Sequence, residues 1–585
     1  GLNIQLILDE PKAFDNFMAH YGKFSGVKNY LALIGKKSVK LEEMCGYYGE
    51  KIVLKAQQLG LNSCWVALTY KKVKSAFVID DDERLCCLIT LGYGIDNGAT
   101  HKIKTIEQVS EVTGDTKYIN TAVDTSKYFM DNFVSENKLF YWGGHRFLNL
   151  DTLTTVGPQN KNQVHELKNL FPYYEFLYEI NPEVTKNYVI AFWNAHVEDW
   201  DTLDMGRHGN YDKKFNPNVF KEHHPKDIVD PNKLPALPET KGLTFINAGS
   251  DLIYSAYVLN SLSPNKEMKD WGKTVFTQYQ LARNPETGAP VYQFTSPKKR
   301  EWPPKSDKDT NSKYGDRAFR QFGAEFGDIA KEANALFKGN PRTIVVDNSL
   351  VLHDIYTKTK DKDILTSAIA NLKNYYKIAL DTENGNLKPV WNDGTDLSNY
   401  TLIRDGYYGK KGTVLKSEPI KSEEYAIPLI RWYAVTKDKN LWDTARTILN
   451  KNFNLGDIGT FDGKDISLNM NTTNSSPYSI FLMIDLYKAT NNDKYIELAR
   501  IVGNNLVTTK FKNGYFVAEP NLLNAKIDSI EAFSLVSLDA ILKGKEKNIP
   551  QYISHGGYIH GEHIEGDSVY DRNVIYNKTI NEDVK

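Results

Sequence analysis

Tyr356-Thr357-Lys358-Thr359-Lys360-Asp361 returns as Tyr433-Ala434-Val435-Thr436-Lys437-Asp438 and again as Tyr487-Lys488-Ala489-Thr490-Asn491-Asn492. In each copy an alanine stands 12 positions after the tyrosine, at Ala368, Ala445 and Ala499. Each unit reads as an apolar helix, a polar Lys/Asp/Asn turn and a second, amphipathic helix. One such hairpin cannot bury its own apolar face, so hairpins stack and either close into a toroid or extend as a solenoid. Strand-like pieces between the units, such as Gly514-Tyr515-Phe516-Val517, point to decorated loops and favour the toroid. The pattern predicts a multidomain, mainly α chain whose residues 111–585 form an α/α toroid of helical hairpins with β decorations.

The first 110 residues differ. Gly49 to Gly60 has helical apolar spacing at Ile52, Val53, Ala56 and Leu59, with Gly60 as a stop. Cys64 to Tyr70 and Arg84 to Gly92 read as strands, the second a continuous apolar run typical of a covered sheet. This is an α/β pattern. All four cysteines, Cys45, Cys64, Cys86 and Cys87, lie here. Their spacing fits neither a zinc module nor a dense disulfide framework, and they are read as buried thiols.

Composition bounds the function. The 72 basic and 73 acidic residues nearly cancel, which gives no footing for a nucleic-acid or membrane-surface protein. No apolar run approaches the roughly 20 residues that span a bilayer. Gly1-Leu2-Asn3-Ile4 lacks the charged start and apolar core of a signal peptide, so a cytoplasmic location is the expectation, with an N-terminus that need not be complete.

Four polar motifs gather between Tyr141 and Gly209: Tyr141-Trp142-Gly143-Gly144-His145-Arg146, Val164-His165-Glu166-Leu167-Lys168, Ala191-Phe192-Trp193-Asn194-Ala195-His196 and Asp204-Met205-Gly206-Arg207-His208-Gly209. Imidazole and carboxylate together suit Mn, Fe, Co, Ni or Zn. His145, Glu166 and His208 thus form a candidate two-His, one-carboxylate site. They are 21 and 42 positions apart, and no local motif joins them. By residue type alone they are either ligands or polar residues lining a cleft.

The same motifs, with the Asn162–Lys168 stretch read as a helix start, resemble the family 2 polysaccharide lyases, the pectate lyases with an α/α barrel. The resemblance covers most of 120–585. It implies His145, Glu166 and His208 as ligands of a divalent transition metal, manganese first and cobalt or nickel next, and Arg207 as the Brønsted base. The implied substrate is pectate or oligogalacturonate, cleaved by metal-assisted β-elimination to 4,5-unsaturated products. The C5 hydrogen of galacturonate lies α to a carboxylate, and a bound metal would offset that charge. Arginine is an unusual base, because a free guanidinium holds its proton to above about pH 12. An alkaline optimum follows as an expectation. Arg207 is otherwise a carboxylate clamp.

Residues 1–110 resemble the nitroreductase family of flavoproteins through Gly46-Tyr47-Tyr48-Gly49-Glu50, Leu59-Gly60-Leu61-Asn62-Ser63-Cys64-Trp65 and Leu91-Gly92-Tyr93-Gly94. The matched text begins after the family's phosphate-binding basic motif, so the segment is expected to be truncated and not to hold FMN. The rival reading is an FMN-dependent oxidoreductase carrying a sugar-binding toroid. Arg300 and Trp302, with Arg317 and Arg320, mix cations and aromatics suited to uronate carboxylates and sugar faces. A solvated loop is the other reading of both stretches. His223, His224, His555, His560 and His563 are read as surface histidines.

Overall fold

The computed structural model describes residues 2–15, 26–38, 40–67, 69–94, 117–141, 147–149, 154–156, 164–167, 169, 171–200, 203–224, 245–293, 335–406, 408–512, 515–516, 529–546, 549–553, 563–565 and 568–570. Two compact units divide the chain, Gly1–Val109 and Ser110–Lys585.

The first unit is a four-stranded sheet of β1 (Leu2–Ile7), β2 (Asn29–Lys36), β3 (Asn62–Val66) and β4 (Glu83–Gly92), with helix α1 (Leu41–Gln58). The order is β1-β2-β4-β3 and every pair is antiparallel. The apolar run of β4 is explained by two small cores, one holding Leu88 with Tyr30 and Phe77, the other Cys87 and Ile89 with Leu41 of α1. The helix starts eight residues before Gly49, and the first predicted strand ends at Val66. One expectation for the thiols is corrected. Cys45 and Cys87 are buried, Cys86 is half-buried, but Cys64 is exposed, because β3 lies at the edge of the sheet.

The second unit realises the repeat. Its helices are α2 (Lys117–Asn132), α3 (Tyr174–Ile180), α4 (Pro182–His196), and then the pairs α5 (Ile246–Leu262) with α6 (Lys266–Leu281), α7 (Asn348–Thr359) with α8 (Lys362–Ala379), α9 (Ile427–Thr436) with α10 (Lys439–Asn452) and α11 (Pro477–Thr490) with α12 (Asp493–Lys510), followed by α13 (Ile530–Leu542). Each first helix also packs on the first helix of the next pair, from α5 through α7, α9 and α11 to α13. These inner helices are apolar almost all round, and α5 buries every residue from Ile246 to Leu259. The outer helices bury one stripe, as α10 does with Leu441, Trp442, Ala445, Ile448 and Leu449. This is the α/α toroid arrangement of helical hairpins, with short strand pairs on its loops.

The repeated hexapeptide is the turn of the hairpin. Lys360, Lys437 and Asn491 adopt left-handed backbone, at φ 56°, 56° and 55°, and their N–H groups close onto the carbonyls of Tyr356, Tyr433 and Tyr487. The next residues, Asp361, Asp438 and Asn492, cap the outer helices by accepting from the N–H two residues on. The three alanines are buried on the outer helices.

The inner helices are tied together at their N-terminal ends by a buried polar network. The Asn169 N–H donates to Asp251 at 2.9 Å, and its amide donates to Asp347 at 2.7 Å. Arg342 donates to both oxygens of Asp347, at 3.0 and 2.9 Å, and to Glu424 at 2.7 Å. The Tyr552 hydroxyl also donates to Glu424. Asn169 follows the strand β5 (Val164–Glu166), so this network fixes that strand against the helices. The structure corrects the reading of Val164–Glu166 as a helix start. Its backbone pairs with a distant strand, and that pairing outweighs local helix preference.

Deeper in the toroid Arg431 of α9 donates to Asp485 of α11 at 2.7 Å and to the Tyr552 carbonyl at 2.5 Å, with both side chains buried. Removing one partner strands the other charge out of water. Arg431→Met is therefore expected to cost about 3–5 kcal/mol, read as a shift of the urea midpoint, and Arg431→Met with Asp485→Leu should recover most of it. An unchanged midpoint in the single variant would contradict this account.

Candidate active site on a two-stranded ladder

Three short elements return the chain to one place. Helix α4 ends at His196. A tight hairpin follows, made by β6 (Val197–Asp199) and β7 (Asp204–Met205), which pair Val197 with Met205. The hairpin brings Gly206 back beside His196, and the Gly206 N–H donates to the His196 carbonyl at 2.9 Å. The chain then enters β8 (His208–Asn210), which runs antiparallel to β5 with His208 opposite Glu166, Gly209 opposite His165 and Asn210 opposite Val164. The Leu167 N–H extends the ladder to the Arg207 carbonyl at 2.8 Å.

Directly opposed residues share a face, and neighbours along a strand point to opposite faces. This register alone places Glu166 and His208 side by side. Glu166 Oε1 lies 3.5 Å from His208 Nε2 and 3.8 Å from Arg207 Nε. Glu166 is only 2 % exposed, whereas the Arg207 and His208 side chains are 32 % and 43 % exposed. The carboxylate thus sits at the floor of the site while the two cationic or metal-binding groups reach solvent. Arg207 Nε is buried and makes no hydrogen bond among the described residues. Its guanidinium carbon lies 6.0 Å from the centre of the Phe245 ring, at the start of inner helix α5.

The donors fit a divalent metal. Two bonds of about 2.0–2.2 Å at a near-tetrahedral angle separate their donor atoms by about 3.4 Å, close to the Glu166–His208 spacing. The third expected ligand, His145, lies outside the described residues, as do Arg300, Trp302, Arg317, Arg320, His555 and His560. Among the described residues no three His, Cys, Asp or Glu side chains gather as a ligand set. The sequence reading sets His223 and His224 apart from the ladder residues as surface histidines. The His223 ring stacks on Trp200 at 4.9 Å, and His224 is exposed.

The opposite face of the ladder carries residues to which the sequence reading gave no role. His165 and His196 are fully buried and hydrogen-bonded to each other at 2.7 Å. His165 Nε2 meets the Tyr188 hydroxyl at 2.9 Å, and His196 Nδ1 meets the Gly206 carbonyl at 2.9 Å. Burial pushes the proton affinity of both rings down, His165 well below the ordinary histidine value and His196 to about 4. The signal available in the sequence was position. His165 adjoins Glu166 on a strand, and His196 ends the helix that feeds the hairpin.

Gly209 is dictated by this packing. A Cβ there would lie 2.5 Å from His196 Nε2 and 2.7 Å from Cδ2, and the ring is held through both nitrogens. Gly209→Ala is expected to cost about 1–3 kcal/mol and to loosen the ladder that carries Glu166 and His208. A melting temperature equal to that of the parent would show that the ring has room to move.

The chain has known relatives. The family model described as periplasmic pectate lyase matches residues 99–562. A nitroreductase family model matches residues 1–128. The pectate disaccharide-lyase of Dickeya dadantii (strain 3937) is 43 % identical over 478 residues, which cover 81 % of this chain and 85 % of that protein. Solved structures are more distant. Cellobiose 2-epimerase from Spirochaeta thermophila is 11 % identical, covers 74 % of this chain and 100 % of its own, and has a TM-score of 0.40. Among the described residues no helix is long and apolar enough to cross a membrane. With the match spanning both strands of the ladder and the toroid behind them, the chain belongs to the periplasmic pectate lyase family.

Proposed function

We propose that this chain is a pectate lyase that cleaves polygalacturonate by β-elimination. The observation that carries the reading is the cross-strand pairing of buried Glu166 with His208, with Arg207 beside them, in a chain 43 % identical to a pectate disaccharide-lyase. Glu166 and His208 would hold a divalent transition ion, manganese first among the candidates, with His145 as the third ligand from the family resemblance. A bound ion supplies Lewis-acid charge at the C6 carboxylate of the sugar and stabilises the negative charge that develops as C5 loses its proton.

The remaining work falls to the chain. Arg207, next to the ligand pair and partly exposed, would take the C5 proton after its guanidinium has released one proton to solvent, a loss that the charge of a bound ion would favour. The electron pair of the C5–H bond forms the C4=C5 double bond while the C4–O bond breaks. The departing oxygen gains a proton from water. Glu166, buried beside Arg207 and His208, would supply the carboxylate that holds the ion at the floor of the site. Arg300, Trp302, Arg317 and Arg320 would extend sugar binding beyond the ladder. The rival flavin oxidoreductase is not favoured, since the relative matched over 81 % of the chain is a lyase.

Two tests follow. Chelation should abolish formation of the ultraviolet-absorbing unsaturated product from polygalacturonate, and manganese should restore it; full activity in a metal-free protein would remove the ion from the reaction. Arg207→Ala should lower kcat by about three or more orders of magnitude, as expected when a group acting only in the transition state is lost, with a small change in oligogalacturonate affinity. A normal kcat with a large rise in the dissociation constant would make Arg207 a clamp and not the base.

A further inference from the structure

The hydrogen-bonded chain behind the ladder has one consistent proton arrangement. The Gly206 carbonyl can only accept, so His196 Nδ1 carries a hydrogen. In a neutral ring Nε2 is then an acceptor, which makes His165 Nδ1 the donor across the 2.7 Å contact. His165 Nε2 in turn accepts from the Tyr188 hydroxyl. Three donors thus point the same way, from Tyr188 on α4 through both imidazoles to the main chain just before Arg207.

The end of this chain is where precision is needed. His196 grips Gly206 twice, through its ring to the carbonyl and through its own carbonyl to the Gly206 N–H. The Arg207 carbonyl is held by Leu167. Gly209 leaves open the space that the His196 ring fills. The Tyr188 ring is itself fixed, stacked on Phe140 at 3.9 Å between ring centres. His165 pairs with Gly209 on the face of the ladder opposite Glu166 and His208, so the relay acts on the site through the main chain.

We propose that His196, oriented by His165 and Tyr188, is a positioning residue that sets the main chain of Arg207 for proton abstraction. The proposal rests on the reading of Arg207 as the base. A misplacement of about 1 Å at a reacting group costs on the order of 100-fold in rate, which sets the scale of the effect.

The test uses the full chain and two replacements of different reach. An asparagine amide nitrogen falls where Nδ1 lies, whereas a glutamine amide falls where Nε2 lies. His196→Asn keeps the donor to Gly206 but loses the acceptor for His165, and should lower kcat less than His196→Gln does. His196→Gln loses that donor and should lower kcat about 10- to 100-fold with KM changed much less. If His196→Gln does not fold, Tyr188→Phe removes one hydroxyl while keeping the stack, and should give a smaller fall in kcat. Hydrogen exchange of the metal-free protein supplies a readout apart from activity: the peptide covering 203–210 should exchange faster in His196→Gln than in His196→Asn. Unchanged exchange and kcat in His196→Gln, or faster exchange with unchanged kcat, overturns the proposal, as does an equal loss in both His196 variants. A parent protein without lyase activity, or an Arg207→Ala variant with normal kcat, defeats the functional reading, while the exchange data still report on the relay.

Discussion

The antiparallel pairing of Val164–Glu166 with His208–Asn210 is the constraint on which the site depends. Three residue pairs long, it brings Glu166 and His208, 42 positions apart, onto one face, with Arg207, which precedes the strand, beside Glu166. A slip of one residue would take His208 away from Glu166 and Gly209 away from His165. Among the described residues the ladder joins no larger sheet, and its register is set from outside. Asn169 anchors one strand to Asp251 and Asp347 on the inner helices, and His196 holds the turn into the other.

The toroid supplies the rigid frame for this small device. Its inner helices are linked at their N-terminal ends by Arg342 between Asp347 and Glu424, and Phe245 at the start of α5 lies under the Arg207 guanidinium. Asp347, inside the helical run that leads into α7, and Glu424, just before α9, give the arginine a fixed pair of partners. Loops that carry chemistry are commonly held by a scaffold of this kind. The chemistry faces solvent, while the groups that fix its geometry are buried behind it.

Much of this was legible in the sequence because it is local. The Tyr-x-x-Thr repeat with its polar turn encodes a helix stop, a left-handed residue and an N-cap, and each of those features depends on a few neighbouring residues. The motif positions Glu166, Arg207 and His208 were legible through family resemblance, and they meet in the structure. What stayed hidden depends on long-range pairing. Val164–Glu166 has no strand pattern of its own, and only β8 makes it one. The exposure of Cys64 depends on which strand lies at the sheet edge. The roles of His165, His196 and Tyr188 require knowing which side of a strand each faces, and the meaning of Gly209 requires knowing what packs over it.

We propose that Glu166 and His208 of the ladder hold a metal ion beside Arg207. Anomalous diffraction at the manganese edge from crystals grown with manganese tests it most directly. The account predicts a single strong peak within about 2.5 Å of both Glu166 Oε1 and His208 Nε2, as expected of directly bonded donors. A fully soaked crystal with no peak between these two atoms, or with its peak elsewhere in the toroid, would contradict it.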